Sequence, residues 1–422
     1  MKLYAGPDLE NAARLSPRSG SGARLSGMTN AAELLMGRAA SRFGKIDHAP
    51  IQAVTACVRV PGDGESLRAV YIGQGSNRAW LTSTLFELQH DDTATLTDSA
   101  DSLAKQITEV ASDADILFIE DVPKSTLADT RFDFITMPAW LKQRAPVLQD
   151  WPQQLGTMRR STRREVARLL RKHHFTCRVT RDENDFVAFY DDLYVPYIRA
   201  RHRDAAEIVP RDLFMTECDK GAVLQLVDGD DVVGASLARP TGTSMAIVWT
   251  GLRPGPDDKP RQGASEILDY FCLLYSHTQG SRWLDFGPSR PDLSDGAMRY
   301  KARWSAQLHE GFIKSHEIHW AMLKPKPSFA ELLKQHAFVP RMGHGLTGAL
   351  VSDTAACPPS KLQDIIARYA VPGLEQYQIA VLGADAGPAT RFKDEADRRV
   401  TLCPVNSVEQ LIATYSSPGR AI

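Results

Sequence analysis

Two neighbouring stretches hold the side chains best suited to chemistry. Trp283-Leu284-Asp285-Phe286-Gly287-Pro288-Ser289-Arg290 sets a carboxylate after an apolar run, and Gly296-Ala297-Met298-Arg299-Tyr300-Lys301-Ala302-Arg303-Trp304 sets a lysine between aromatics. A cation flanked by aromatics is partly desolvated and held for an anionic partner, which makes Lys301 the first candidate. Its bland alternative is a solvated lysine on an amphipathic helix. Asp285 can accept a proton at a strand end or simply cap the following turn. Tyr300 and His202 are the other candidate proton acceptors. Tyr197, Arg201 and His202 gather at the end of a helix, where they either line a site for a sugar phosphate or complement the helix dipole.

The elements that must position these residues follow from apolar periodicity. Helices are expected near 185–200 and 211–218, and strands at 222–227 and 232–238 joined by Asp228-Gly229-Asp230-Asp231, a tight-turn signal. A third strand spans 245–251, a helix 263–277, a fourth strand 283–286 and a short helix 296–304. Strands at 308–314 and 317–323 are expected to close this sheet. Upstream, strands are expected at 52–60, 67–71, 80–85 and 116–120, with a helix at 102–111. Downstream, a helix at 328–336 precedes alternating strands (346–351, 378–382, 399–403) and helices (360–370, 408–414), the pattern of a small α/β unit.

Length and composition bound the reading. A chain of 422 residues with 43% hydrophobic and 24% charged residues holds two or three globular domains. The net charge of −1 excludes nucleic-acid binding through overall charge. The exception is local: 159–172 carries seven Lys/Arg against Glu165 alone, with Val166, Leu169 and Leu170 on one helical face. That segment is either a solvated face or a contact for phosphates, anionic lipid or an acidic carrier. The six cysteines stand singly, with no metal-ligand spacing, so no metal is expected and the thiols fit a reducing, cytoplasmic setting. Residues 1–29, rich in Gly, Ser and Arg, read as a mobile leader, and no apolar stretch has the length of a membrane span.

The element order across 182–323 is similar to that of the GNAT acyltransferase fold. The Asp-Phe-Gly strand end, the aromatic-Lys-x-x-Trp helix and the arginine-rich stretch 158–171 resemble the Fem-type (FemAB-like) branch, found in cell-envelope and exopolysaccharide biosynthesis. Ser305 stands where that pattern usually has Gly, and Arg261-Gln262-Gly263-Ala264-Ser265 lacks the second glycine of the family's donor loop. The resemblance implies an α/β (α+β) chain of tandem GNAT-like lobes around mixed, splayed sheets. A degenerate lobe would occupy 30–150 and the catalytic lobe 151–325, with a C-terminal α/β unit at 326–422. It implies an enzyme moving an acyl or aminoacyl group from acyl-CoA, an acyl carrier protein or aminoacyl-tRNA to an amine or hydroxyl of an envelope or polysaccharide precursor. No cofactor would be permanently bound. Asp285, Lys301 and Tyr300 would be catalytic. Trp249, Gly251, Arg261, Gly263, Ala264 and Ser265 would meet the donor, and Tyr197, Arg201, His202, Ser289, Arg290 and Trp304 the acceptor. A carrier protein, tRNA or membrane surface would meet the basic helix. Strand backbone would supply the oxyanion donors, so no nucleophile motif is needed. The alternative is a non-catalytic module of the same fold that only recognises a ligand in an assembly complex.

Overall fold

The structure, a computed structural model, describes residues 51–416 apart from short internal stretches, the longest being 255–261 and 310–316. The expected leader at 1–29 and the loop residue Arg261 lie outside the described residues. The chain folds as two compact units, one built from Gln143–Gly287 with Lys301–Gln307, the other from the segments before, between and after these.

The second unit holds a six-stranded mixed sheet of order β3-β1-β2-β4-β13-β5. Its strands are β1 (Gln52–Arg59), β2 (Ser66–Gly73), β3 (Glu87–Thr95), β4 (Ile116–Glu120), β5 (Ile135–Pro138) and β13 (Glu317–Met322). β2 and β4 are parallel, joined through α2 (Ala100–Ala111), while β13 lies antiparallel between β4 and β5. Two readings are corrected here. Residues 317–322 belong to this sheet and not to the sheet expected to precede them, because Ile318 and Trp320 bury one face of β13 against Phe118 and Phe338. Residues 80–85, expected as a strand, lie in and after a helix, α1 (Arg78–Ser83): Trp80 and Leu81 are adjacent and both buried, which defeats a period of two. The helix α3 (Lys124–Thr130) and the polar strand β3 carry no periodic signal strong enough to be anticipated.

The same unit carries a four-stranded sheet, β16-β17-β19-β18, built from β16 (Gly348–Ser352), β17 (Gln376–Leu382), β18 (Thr390–Lys393) and β19 (Arg399–Val405). β16, β17 and β19 run parallel, as the alternation with α12 (Pro359–Tyr369) and α13 (Val408–Tyr415) suggests. Helix α11 (Pro327–Gln335) and the short pair β14 (Arg341–Met342) and β15 (Gly345–Leu346) precede it. No helix among the described residues is long and apolar enough to cross a membrane.

The first unit is a mixed sheet whose strands run β6 (Leu141–Pro146), β11 (Trp283–Ser289), β10 (Ser244–Leu252), β9 (Asp231–Thr241), β8 (Ala222–Asp228) and β7 (Thr176–Thr180), with Gln307 opening the short β12 (Gln307–His309) beyond β6. β7 to β10 form an antiparallel meander, and Gly229 takes φ +64° in the expected Asp-Gly hairpin. Helix α9 (Ala264–Thr278) leads to β11, which runs parallel to β10. Alternation assigns the two faces of β9. Gly234 lies under Leu268 of α9, while Ala235 and Leu237 join Phe189, Leu193, Tyr194 and Phe214 on the other side. The basic helix expected at 159–172 is α5 (Arg160–His173), and a further helix, α4 (Trp151–Thr157), precedes it, capped by Asp150, which accepts from the Gln153 amide at 2.6 Å.

His319, on β13, is buried with Nδ1 2.9 Å from Thr136 Oγ1, and that burial pushes its pKa down to about 4. The unfolded chain takes up this proton near the ordinary value of about 6.5. Between those two values the unfolded state binds more protons, so stability falls as pH falls through that window. Urea unfolding at pH 7 and pH 4.5 should show a loss on the order of 1–3 kcal/mol attributable to this group, reduced in H319Q. An equal pH response in H319Q and wild type would contradict the assignment.

Candidate functional site

β10 and β11 are hydrogen-bonded neighbours over three residue pairs only, Ser244 with Trp283, Met245 with Leu284 and Ala246 with Asp285. Beyond Ala246 the strands part, although β10 runs on to Leu252 and β11 to Ser289. Ile247, Val248, Trp249 and Thr250 are all half-buried, an unusual run in the interior of a sheet. A register shift against β9 between Ile247 and Trp249 adds a bulge at the same level. β10 thus presents polar backbone along one open edge, the arrangement an extended amide-bearing chain can pair with.

The parting is fixed at Gly287. Its N–H donates to Asp285 Oδ1 at 2.9 Å, and its carbonyl accepts from Lys301 Nζ at 3.1 Å. Gly287 sits at φ +75°, where a side chain would be strained, and the space beside its Cα is open. Asp285 is therefore a turn-capping carboxylate, almost fully buried, with Arg144 close enough to feel its charge. Arg144 in turn lies over the Trp283 ring at 4.2 Å. Lys301 is half-buried, and its ammonium is occupied with the Gly287 carbonyl and not left on a solvated helix face. Helix α10 (Gly296–Ala302) carries Lys301 into place, and Trp304 follows it fully buried, 6.2 Å from Phe286. Ser305, at the position where the sequence pattern has Gly, adopts φ +61°, and its hydroxyl donates to the Thr157 carbonyl.

The far end of the open edge is closed by a π-helical turn. Glu183–Ala188 (α6), the π turn Phe189–Tyr194 and Val195–His202 (α7) form one continuous helical stretch. A Cβ on Gly251 would lie 2.6 Å from the Tyr194 amide nitrogen, so the close approach of this backbone demands glycine. Trp249 stacks on Phe214 of α8 (Arg211–Cys218) at 4.8 Å, with Tyr190 and Tyr194 against the same ring. The Tyr190 hydroxyl donates to the Val209 carbonyl at 2.8 Å and holds that segment over the aromatic cluster. Tyr197 and Arg201 share a hydrogen bond of 2.5 Å on α7. His202 closes that helix, and its side chain lies outside the described set.

Gly263 opens α9 at φ +79°, a left-handed conformation that favours glycine. The space a Cβ would take there is filled by Leu169 of α5, so the close seating of α5 requires glycine at this position. Ala264 is buried and Ser265 half-buried in the first turn. Lys172 Nζ lies 3.3 Å from Gln262 Oε1, which brings the basic end of α5 beside the α9 N-terminus. Arg160, Arg163, Arg164 and Arg171 are exposed, whereas Arg168 pairs with Glu165 at 2.6 Å.

Three residues expected beside Asp285 fall in the second unit: Ser289, Arg290 and Tyr300. Ser289 is buried and Tyr300 half-buried. Arg290 lies 3.6 Å from the Trp140 ring and 5.0 Å from Trp80, and donates to Asn77, which itself donates to the buried Glu120. Nothing in the sequence pattern pointed to Asn77 or Glu120, because Asn77 and Arg290 lie 213 residues apart and Glu120 joins them only through Asn77. Among the described residues no group of three His, Cys, Asp or Glu side chains is placed to hold a metal ion.

Residues 156–302 match the family described as an acetyltransferase (GNAT) domain, so the chain carries a GNAT domain over the strands and helices just described. Among solved structures, FemX aligns at 14% identity over 65% of this chain and 86% of its own, with TM-score 0.35. L-PGS from Bacillus licheniformis aligns at 13% over 65% and 87% with TM-score 0.32, and a GCN5-related N-acetyltransferase from Sphaerobacter thermophilus at 14% over 68% and 86% with TM-score 0.29. At these scores the likeness carries no inference about substrate. No curated protein matches the chain.

The role of Asp285 is separable by substitution. D285A removes a charged acceptor from a buried amide and should cost about 1.5–3 kcal/mol in urea unfolding. D285N keeps an oxygen acceptor in place and should cost less than half as much. Equal costs for the two would show that the carboxylate does not hold the turn through Gly287.

Proposed function

We propose that the chain transfers an acyl or aminoacyl group from a thioester or ester donor to an amine or hydroxyl of a cell-envelope or polysaccharide precursor. The observation that carries this is the open edge of β10 beyond Ala246, held apart from β11 by the two side chains on Gly287. A pantetheine-like arm, being an extended chain with amide groups, can pair with such an edge as an added strand. Its thioester carbonyl would then meet β10 N–H groups that stabilise the developing oxyanion. The acceptor nitrogen or oxygen attacks that carbonyl, the C–S bond breaks, the thiolate leaves and the acceptor's proton passes to a base or to water. Asp285 and Lys301 act as positioning residues that keep the strands parted. The exposed arginines of α5 and Lys172 suit an anionic donor, whether the phosphates of acyl-CoA, an acidic acyl carrier protein or aminoacyl-tRNA. Tyr197 and Arg201 would bind an anionic acceptor.

Native mass spectrometry of the full chain with acetyl-CoA, a long acyl-CoA, an acylated carrier protein and aminoacyl-tRNA tests this reading and identifies the donor. One donor should be retained. K301M should lower turnover by roughly 10–100-fold, the cost of misplacing a reacting group, while K301R recovers part of it. Retention of a donor with no turnover on any amine or hydroxyl acceptor would favour the non-catalytic module. Retention of none would overturn the donor cleft.

A further inference from the structure

Helix α5 carries a surface that its own fold does not need. Every exposed residue of the helix is Arg, Lys or Ser, with Arg160, Arg163, Arg164 and Arg171 the arginines among them. At 3.6 residues per turn these four fall within one arc of about 100°, in a row roughly 16 Å long. The buried Thr162, Val166 and Leu169 lie on the opposite side. Glu165, the one acid of the helix, is taken by Arg168 at 2.6 Å, and among the described residues none of the four row arginines forms an ion pair. The first turn holds arginines and no acid, although the helix dipole favours acids there, and Arg160 and Arg164 are like charges four residues apart. The row therefore works against the helix that bears it.

The chemistry of the row narrows its partner. Small-molecule sites are concave, and this surface is the outside of a helix. Specific protein interfaces centre on buried apolar or aromatic anchors, and no such side chain is exposed on α5. Channels for single-stranded nucleic acid interleave cations with stacking aromatics, which α5 does not expose, and the chain's net charge of −1 offers a polyanion no long-range pull. An anionic lipid surface asks only for several cations that one plane can meet together, each of which strengthens association about fivefold.

We propose that α5 docks the chain on an anionic lipid surface through Arg160, Arg163, Arg164 and Arg171. Val166 and Leu169 stay within the protein, Leu169 against Gly263, so α5 puts nothing apolar into the bilayer and its contact is electrostatic throughout. The proposal goes beyond the acyl-transfer reading and does not rest on it. α5 and β10 belong to the same unit, so docking would carry the open edge to the surface where a lipid-linked acceptor resides.

Co-sedimentation of the full chain with phosphatidylcholine vesicles, with and without admixed phosphatidylglycerol, tests this in the absence of any donor. The chain should pellet only with the anionic vesicles, and added salt should release it. R160Q/R164Q should weaken binding by at least about tenfold, whereas R160K/R164K, which keeps the charge, should leave it within about twofold. Glutamine and lysine both favour helix, and an unchanged melting curve checks that each variant folds. No pelleting with anionic vesicles, equal pelleting with both kinds, or anionic binding that R160Q/R164Q leaves intact would overturn the proposal. So would a chain that ignores the vesicles but binds bulk tRNA or a purified acyl carrier protein through the same arginines, since the row would then belong to that partner.

Discussion

The two backbone groups of Gly287 are each taken by a side chain, the N–H by Asp285 and the carbonyl by Lys301. Backbone polar groups in a sheet normally pair with a neighbouring strand, and here side chains take that part. The residue also sits at positive φ, which turns β11 out of a regular ladder. The consequence is a parallel pair that ends after three residues and a β10 edge left open. Breaking this arrangement costs little in apolar packing, since it is electrostatic and local, so the opening can be defined without weakening the core beneath it. That core is supplied by α9, whose residues are buried almost all round, and by the aromatic cluster of Phe189, Tyr194 and Phe214 across the sheet.

The other boundaries of the opening are set by steric contacts. Gly251 lets the π turn approach β10 to a distance no other residue permits, and Gly263 lets Leu169 seat α5 against the start of α9. π turns leave backbone groups displaced from the helical ladder and recur at functional sites. The basic surface of α5 is thereby locked beside the N-terminus of α9, through packing of Leu169 and the Lys172–Gln262 hydrogen bond. In the second unit, Arg290 is held between the rings of Trp80 and Trp140.

Much of the first unit is legible in the sequence because its elements are local and periodic. The Asp-Gly hairpin and the helix opened by Gly263 stand within a residue or two of their expected places, while the strand through Asp-Phe-Gly runs on to Ser289, three residues past its expected end. The coupling of Asp285 and Lys301 was legible only as two residues of interest; their common partner, a backbone glycine, leaves no signal of its own. The assignment of β13 to the other sheet, the helical conformation around Trp80 and the partners of Arg290 depend on tertiary contacts over hundreds of residues, which spacing does not encode. The packing role of Gly263 is hidden for the same reason: the residue that requires it, Leu169, lies on another helix. Ser305 shows the converse, since the left-handed conformation persists although the residue favouring it is absent.

Amide hydrogen exchange along β10, read residue by residue with and without the donor that the chain retains, tests the central claim most directly. The open edge predicts that amides between Ile247 and Gly251 pointing away from β9 exchange much faster than those of Ser244–Ala246 in the free chain, and slow markedly when donor is bound. Slow exchange at those amides in the free chain, or donor-induced protection confined to other elements, would contradict it.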